Sequence, residues 1–272
     1  MTDCTRRSFL GLGVVLGIPH ASFSSSRFLE LSSSGVVVSP SSAPGFPFES
    51  RELVRDVVGA SHGNLARVKE LVTAHPTLAR ASWDWGFGDH EAAIDAASHM
   101  GNRPIAEFLI ANGARPTIFT MAMLGRVDAV RAMIDALPGV QRTRGPHGIT
   151  LLAHAKAGGA DAAGVVSYLD TLGDADPRYA NEPLSEEELR TLSADYKVED
   201  GELVLRIGKN SRGDFSISAP EVMIDRSLFH QGGHVFNPAG AEAVKIRFQL
   251  EAAKATSLVV EHGPSLVRAL RT

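Results

Sequence analysis

Apolar residues recur at helical spacing from about residue 51, always in pairs of segments separated by glycine. Residues 51–58 (Arg-Glu-Leu-Val-Arg-Asp-Val-Val) close at His62-Gly63-Asn64, and a second helical run follows over 65–72. Residues 91–100 close at Gly101, with a partner over 104–110. Residues 118–124 close at Gly125, with a partner over 127–134. Residues 150–157 close at Gly158-Gly159, with a partner over 162–169. A repeated helical pair that buries its oily flank on the next pair is the pattern of a solenoid. Asp174-Ala-Asp-Pro177 then ends the helical region, because proline does not continue a helix.

The period changes after residue 184. Ser185 with Glu188 three residues on is a capping box, predicting a short helix to about Leu192. From Tyr196 onward alternation takes over, and residues 202–207, 214–218, 244–250 and 256–261 read as strands. Asp200-Gly201 and the stretch 210–213 read as turns. The predicted fold class is α+β in separate domains: an α-solenoid of helical hairpins followed by a small antiparallel β domain. The predicted boundaries are a signal peptide over 1–26, a flexible linker over 27–48, a repeat domain over 49–178, and a β domain with a short leading helix over 184–272.

The first 47 residues belong to neither pattern. Thr5-Arg-Arg-Ser-Phe-Leu10 precedes the apolar, glycine-rich run Gly11–Ile18, and this resembles a twin-arginine signal peptide. That resemblance implies export, with a periplasmic or secreted product. The apolar run is shorter than the roughly 20 residues a bilayer span requires, so the mature chain is expected to have no membrane span. Serine, proline and glycine dominate 22–47, a composition that cannot bury enough surface to offset ordering entropy. Cys4 is the only cysteine of the 272 residues and falls within the expected signal. A chain cleaved after it has no disulfide, no thiol nucleophile and no cysteine metal ligand. A formal net charge of −4 gives no general attraction to nucleic acid.

Several segments resemble the ankyrin repeat family. Gly148-Ile-Thr150-Leu-Leu152 with Ala155 and Gly159 follows that family's opening pattern, with leucine in place of its proline. Ala93-Ile94, Ala97 and Gly101 follow it more loosely, and Asn112-Gly-Ala-Arg-Pro116 and Leu172–Pro177 follow its exit turn. The resemblance covers about half the chain and implies a concave binding face lined by inner helices and projecting fingers. The spacing departs from the family: one finger is long, one is missing between Gly113 and Ile118, and one is ordinary. Leu189, Leu192, Tyr196 and Phe248 resemble an accessory domain found after serine β-lactamase-like catalytic domains, with Ala194 where that pattern has glycine. No catalytic domain of that kind precedes it, so no catalysis is implied.

The candidate binding residues lie on the fingers and inner helices. Trp83, Trp85 and Phe87 sit on the long finger, and Arg142, Arg144 and His147 on the next one. The aromatic cluster reads either as a contact hot spot or as rings folded back onto the stack. The arginines suit an acidic or planar ligand, or a solvated finger tip. Asp95 and His99 lie one turn apart on an inner helix, as binding residues or polar lining. Gly59-Ala-Ser-His-Gly63 matches the nucleophile-elbow pattern, but its context is helical and Gly63 ends the helix, so Ser61 is not read as a nucleophile. His230 and His234 flank Gly232-Gly233, a hairpin turn rather than a ligand pair. Phosphate-loop, dinucleotide and H-E-x-x-H motifs are not found. These readings predict a non-enzymatic, exported adaptor without cofactor or metal, recognising a protein or other ligand on its concave face. The competing readings are an enzyme, or enzyme subunit, with its site on the β domain or the domain junction, and a small-molecule or lipid carrier using the β domain.

Overall fold

The computed structural model describes residues 48–222 and 224–272. The expected signal peptide and nearly all of the expected linker lie outside them. Four helical pairs come first: α1 (Arg51–Ala60) with α2 (Leu65–Ala74), α3 (Ala93–His99) with α4 (Arg103–Ala111), α5 (Ile118–Met123) with α6 (Val127–Ala136), and α7 (Leu151–Ala157) with α8 (Ala163–Leu172). Side chains cap them as the sequence suggests. Ser50 accepts from the Leu53 amide, Asn64 from Arg67 and Thr150 from Ala153. Between α2 and α3 the long finger forms a small hairpin, β1 (Ser82–Asp84) with β2 (His90–Ala92), pairing Trp83 with Glu91. No helix among the described residues is long and apolar enough to cross a membrane.

After helix α9 (Glu186–Leu192), capped by Ser185 and Glu188, the chain forms eight strands. They are β3 (Ala194–Val198), β4 (Val204–Lys209), β5 (Phe215–Ala219), β6 (Ile224–His230), β7 (Val235–Pro238), β8 (Lys245–Glu251), β9 (Lys254–His262) and β10 (Ser265–Arg271). Each pairs antiparallel with the next, and β10 also pairs with β3, closing the sheet into a barrel. Closure removes the unpaired edges that a few hairpins would leave. Tyr196, Ile217, Phe236, Ile246 and Leu258 pack the core, and the Tyr196 hydroxyl donates to the Leu192 carbonyl of α9 at 2.8 Å.

An α-solenoid followed by a separate small β domain is therefore not the fold. The described residues form one compact unit, of which the closed eight-stranded barrel is a principal part. In a solenoid each repeat touches only its neighbours. Here α3 meets both α5 and α7. The short link between α4 and α5 removes a finger and lets the pairs wrap together. The glycines that end these helices make this possible: Gly101 lies on the Ala157 carbonyl and Gly125 on that of Asp161. Gly101 has φ +67°, so a side chain there is both strained and obstructed. Gly101→Ala is expected to cost about 2 kcal/mol or more in urea unfolding. An unchanged midpoint would show that the packing differs from that described.

Contacts between the helices and the barrel complete the unit. Phe87 of the long finger packs against the barrel core. Arg144 bonds Glu242 at 3.2 Å and the Pro177 carbonyl at 2.9 Å, with its guanidinium 4.0 Å from the Tyr179 ring. The Tyr179 hydroxyl in turn accepts from the Gly240 amide at 2.9 Å.

Candidate metal centre

Four side chains from four separate segments converge where the helices meet the long finger. His62 sits in the turn after α1, Glu91 on β2, His99 at the end of α3, and His147 in a turn before α7. One donor atom of each lies within 4.8 Å of the others. The Glu91 carboxylate is their meeting point. His99 Nε2 is 2.9 Å and His147 Nε2 3.3 Å from its Oε1, while His62 Nε2 is 3.5 Å from its Oε2. The Trp85 indole N–H donates to the same Oε2 at 2.7 Å.

Local backbone conformation aims these groups. Gly86, Phe87 and Gly88 all have positive φ, which folds the tip of the β1–β2 hairpin tightly and turns Asp89 inward. Asp89 then accepts three bonds: the His147 amide at 3.0 Å, His147 Nδ1 at 2.7 Å, and Arg226 Nη2 of β6 at 2.9 Å. His147 itself has φ +60°, held by those bonds. The barrel thus braces the turn that carries His147.

The hydrogen bonds fix which ring nitrogens carry protons. His62 Nδ1 lies 3.2 Å from the carbonyls of both Val58 and Gly59. A carbonyl only accepts, so Nδ1 is the N–H. His147 Nδ1 is the donor to Asp89 for the same reason. In the neutral rings the Nε2 lone pairs of both residues then face the carboxylate oxygens of Glu91. That arrangement is repulsive unless the rings are protonated or a cation lies among them. At His147, protonation resolves it in the absence of a cation. Burial opposes the Glu91 charge, yet bonds from His147 and His99 and the nearby charges of His147 and His62 hold its pKa at about 2. Burial likewise opposes the His147 charge, but Asp89 and Glu91 raise its pKa to about 9. Behind His99, the ring of His154 is 6.4 Å away, and its Nδ1 donates to the Thr150 carbonyl at 2.8 Å. Burial lowers its pKa to about 4, so this histidine is neutral.

Of the residues named from sequence, His99 and His147 enter the cluster and Trp85 touches it. Trp83 packs on the helical core with the Arg51 guanidinium 5.3 Å from its ring. Phe87 faces the barrel. Asp95 accepts from the Thr117 hydroxyl at 3.1 Å, and burial raises its carboxyl above the ordinary range. Arg142 pairs with Asp174 at 2.8 Å on the surface. The Ser61 hydroxyl is buried and donates to the Val57 carbonyl, a helix-end bond. His230 Nδ1 faces the Glu182 carbonyl, and neither it nor His234 joins a group of donors. His62, Glu91, Asp89 and Arg226 were not singled out from sequence. The chain matches no known protein family, no curated protein and no solved structure.

Proposed function

We propose that this chain is a metalloprotein whose centre holds one divalent transition metal, zinc foremost, through His62, Glu91, His99 and His147. The convergence of three Nε2 atoms on one buried carboxylate carries this reading. Three imidazoles and a carboxylate suit zinc and its neighbours better than calcium or magnesium, which prefer oxygen. Asp89 and the backbone carbonyls at Val58 and Gly59 supply the outer contacts that orient ligating histidines. This departs from the expectation of no metal, and it places the working site beside the junction with the barrel. Uptake of one equivalent of zinc by the purified protein, followed by equilibrium dialysis, tests it. Failure to retain zinc against a weak chelator would refute it.

Loading has a pH signature. In the metal-free protein the raised His147 pKa contributes stability that is complete below about 6.5 and lost as pH rises through about 9. The lowered Glu91 pKa contributes stability present above 4.5 and lost as pH falls through about 2. Zinc must displace the His147 proton near neutrality, so its affinity rises with pH up to about 9. The gain in melting temperature from one equivalent of zinc is expected to grow between pH 6 and pH 9, within the window set by these values. A gain that shrinks over this range would contradict the assignment of His147.

A partner-binding role outside the cytoplasm is a second reading. It is supported by the twin-arginine pattern and by the exposed Leu266, Val267 and Leu270 of β10.

A further inference from the structure

The imidazoles are not spaced as in a closed tetrahedral site. A ring bound through Nε2 at about 2.1 Å has its centroid about 3.2 Å from the metal. Two rings at the tetrahedral angle then lie about 5.2 Å apart, and two on opposite sides about 6.4 Å apart. The His62–His99 and His99–His147 centroids are separated by 5.0 and 5.5 Å, as for neighbouring positions. His62 and His147 are 6.4 Å apart, wider than tetrahedral neighbours, and a metal about 3.3 Å from all three centroids would see them about 150° apart. The 2.9 Å between His99 Nε2 and Glu91 Oε1 matches ligand atoms about 90° apart, near 3.0 Å. An angle that wide between His62 and His147 leaves part of the coordination sphere between them unfilled.

Exposure says which side that is. The side chains of Glu91 and His99 are 0% and 8% exposed, whereas those of His62 and His147 are 31% and 22% exposed. The filled side is the buried one. Charge says what the other side takes. A divalent ion with Glu91 as its only anionic ligand keeps one net positive charge, because Arg226 offsets Asp89. That charge favours a small monoanion, such as hydroxide or a carboxylate, over a neutral donor.

Building on the metal-centre reading above, we propose that the metal keeps an exchangeable, solvent-facing position between His62 and His147. It holds water and accepts a small monoanionic donor. This is the arrangement of catalytic and ligand-binding centres rather than of closed structural ones.

The test uses the full protein loaded with one equivalent of Co²⁺, whose visible bands report coordination number. Azide and acetate are titrated in turn. The proposal expects weak bands of five- or six-coordinate cobalt, and a saturable shift with each anion. Intense four-coordinate bands that neither anion moves would overturn it while leaving the metal centre standing. Failure to take up cobalt would overturn the metal-centre reading, and this inference with it.

Discussion

Exchanging Glu91 for glutamine is expected to weaken zinc binding by about a hundredfold or more, with the fold retained. Changing an outer-shell partner of a metal site already costs 10- to 100-fold, and Glu91 is the sole anionic ligand. The glutamine amide keeps an oxygen for the Trp85 indole, now 2.7 Å from the carboxylate. With the carboxylate charge gone, one of the two groups that hold the His147 proton is lost, and the Nε2 of a neutral His147 can accept from the glutamine NH₂. The helices around it therefore keep their packing while the metal loses its charge partner. Isothermal titration with zinc, alongside circular dichroism of the metal-free variant, separates the two effects. Unchanged affinity would remove Glu91 from the centre.

Asp89→Asn is expected to cost about 3–5 kcal/mol of unfolding free energy, a large share of any domain's stability. Asp89 is buried and is the acid that pairs with the buried Arg226 guanidinium. The asparagine amide keeps one acceptor but leaves Arg226 without a counter-charge and His147 Nδ1 without a carboxylate. Breaking such a pair on one side costs more than removing both partners. Adding Arg226→Leu to the same chain should therefore recover much of the loss. Zinc affinity should stay about 10- to 100-fold weakened in the double variant, since His147 has still lost its orienting partner. Urea unfolding of the four proteins of this cycle measures the coupling. A loss below about 1 kcal/mol would mean that Asp89 does not tie the His147 turn to the barrel.

The helical pairs were legible because period and punctuation agree. Asn64, Asn102 and Thr150 stand at caps, and a glycine follows the first helix of each pair. Strands β4, β5, β8 and β9 were legible because their inward residues are apolar. The strands that escaped notice hide the alternation. In β6 the inward positions include Arg226 and His230, β7 carries Asn237 and Pro238, and in β10 only Ala269 is buried. Without them, a closed barrel looks like a few hairpins. The wrapping of α3 onto both α5 and α7 was hidden too, because local period says nothing about which pairs meet.

The site was half legible. His99 and His147 stood out as polar residues of an inner helix and a finger. His62 passed as part of a helix exit, within the pattern weighed only for Ser61, and Glu91 passed as the start of a helix. Ligand-pair reasoning looks for histidines close in sequence, which led to His230 and His234 and away from the four separate segments used here. Nor could local spacing join Asp89 to Arg226, 137 positions along the chain. An odd finger length was the available signal. A repeat that lengthens one finger and places Trp85, Asp89 and Glu91 on it has a use for that finger.

Anomalous diffraction at the zinc edge, from crystals of the zinc-loaded protein, locates the metal. One strong peak is expected about 2.0–2.2 Å from Nε2 of His62, His99 and His147 and from the Glu91 carboxylate. A peak elsewhere, such as the His230–His234 turn, with none among these four residues, would contradict it.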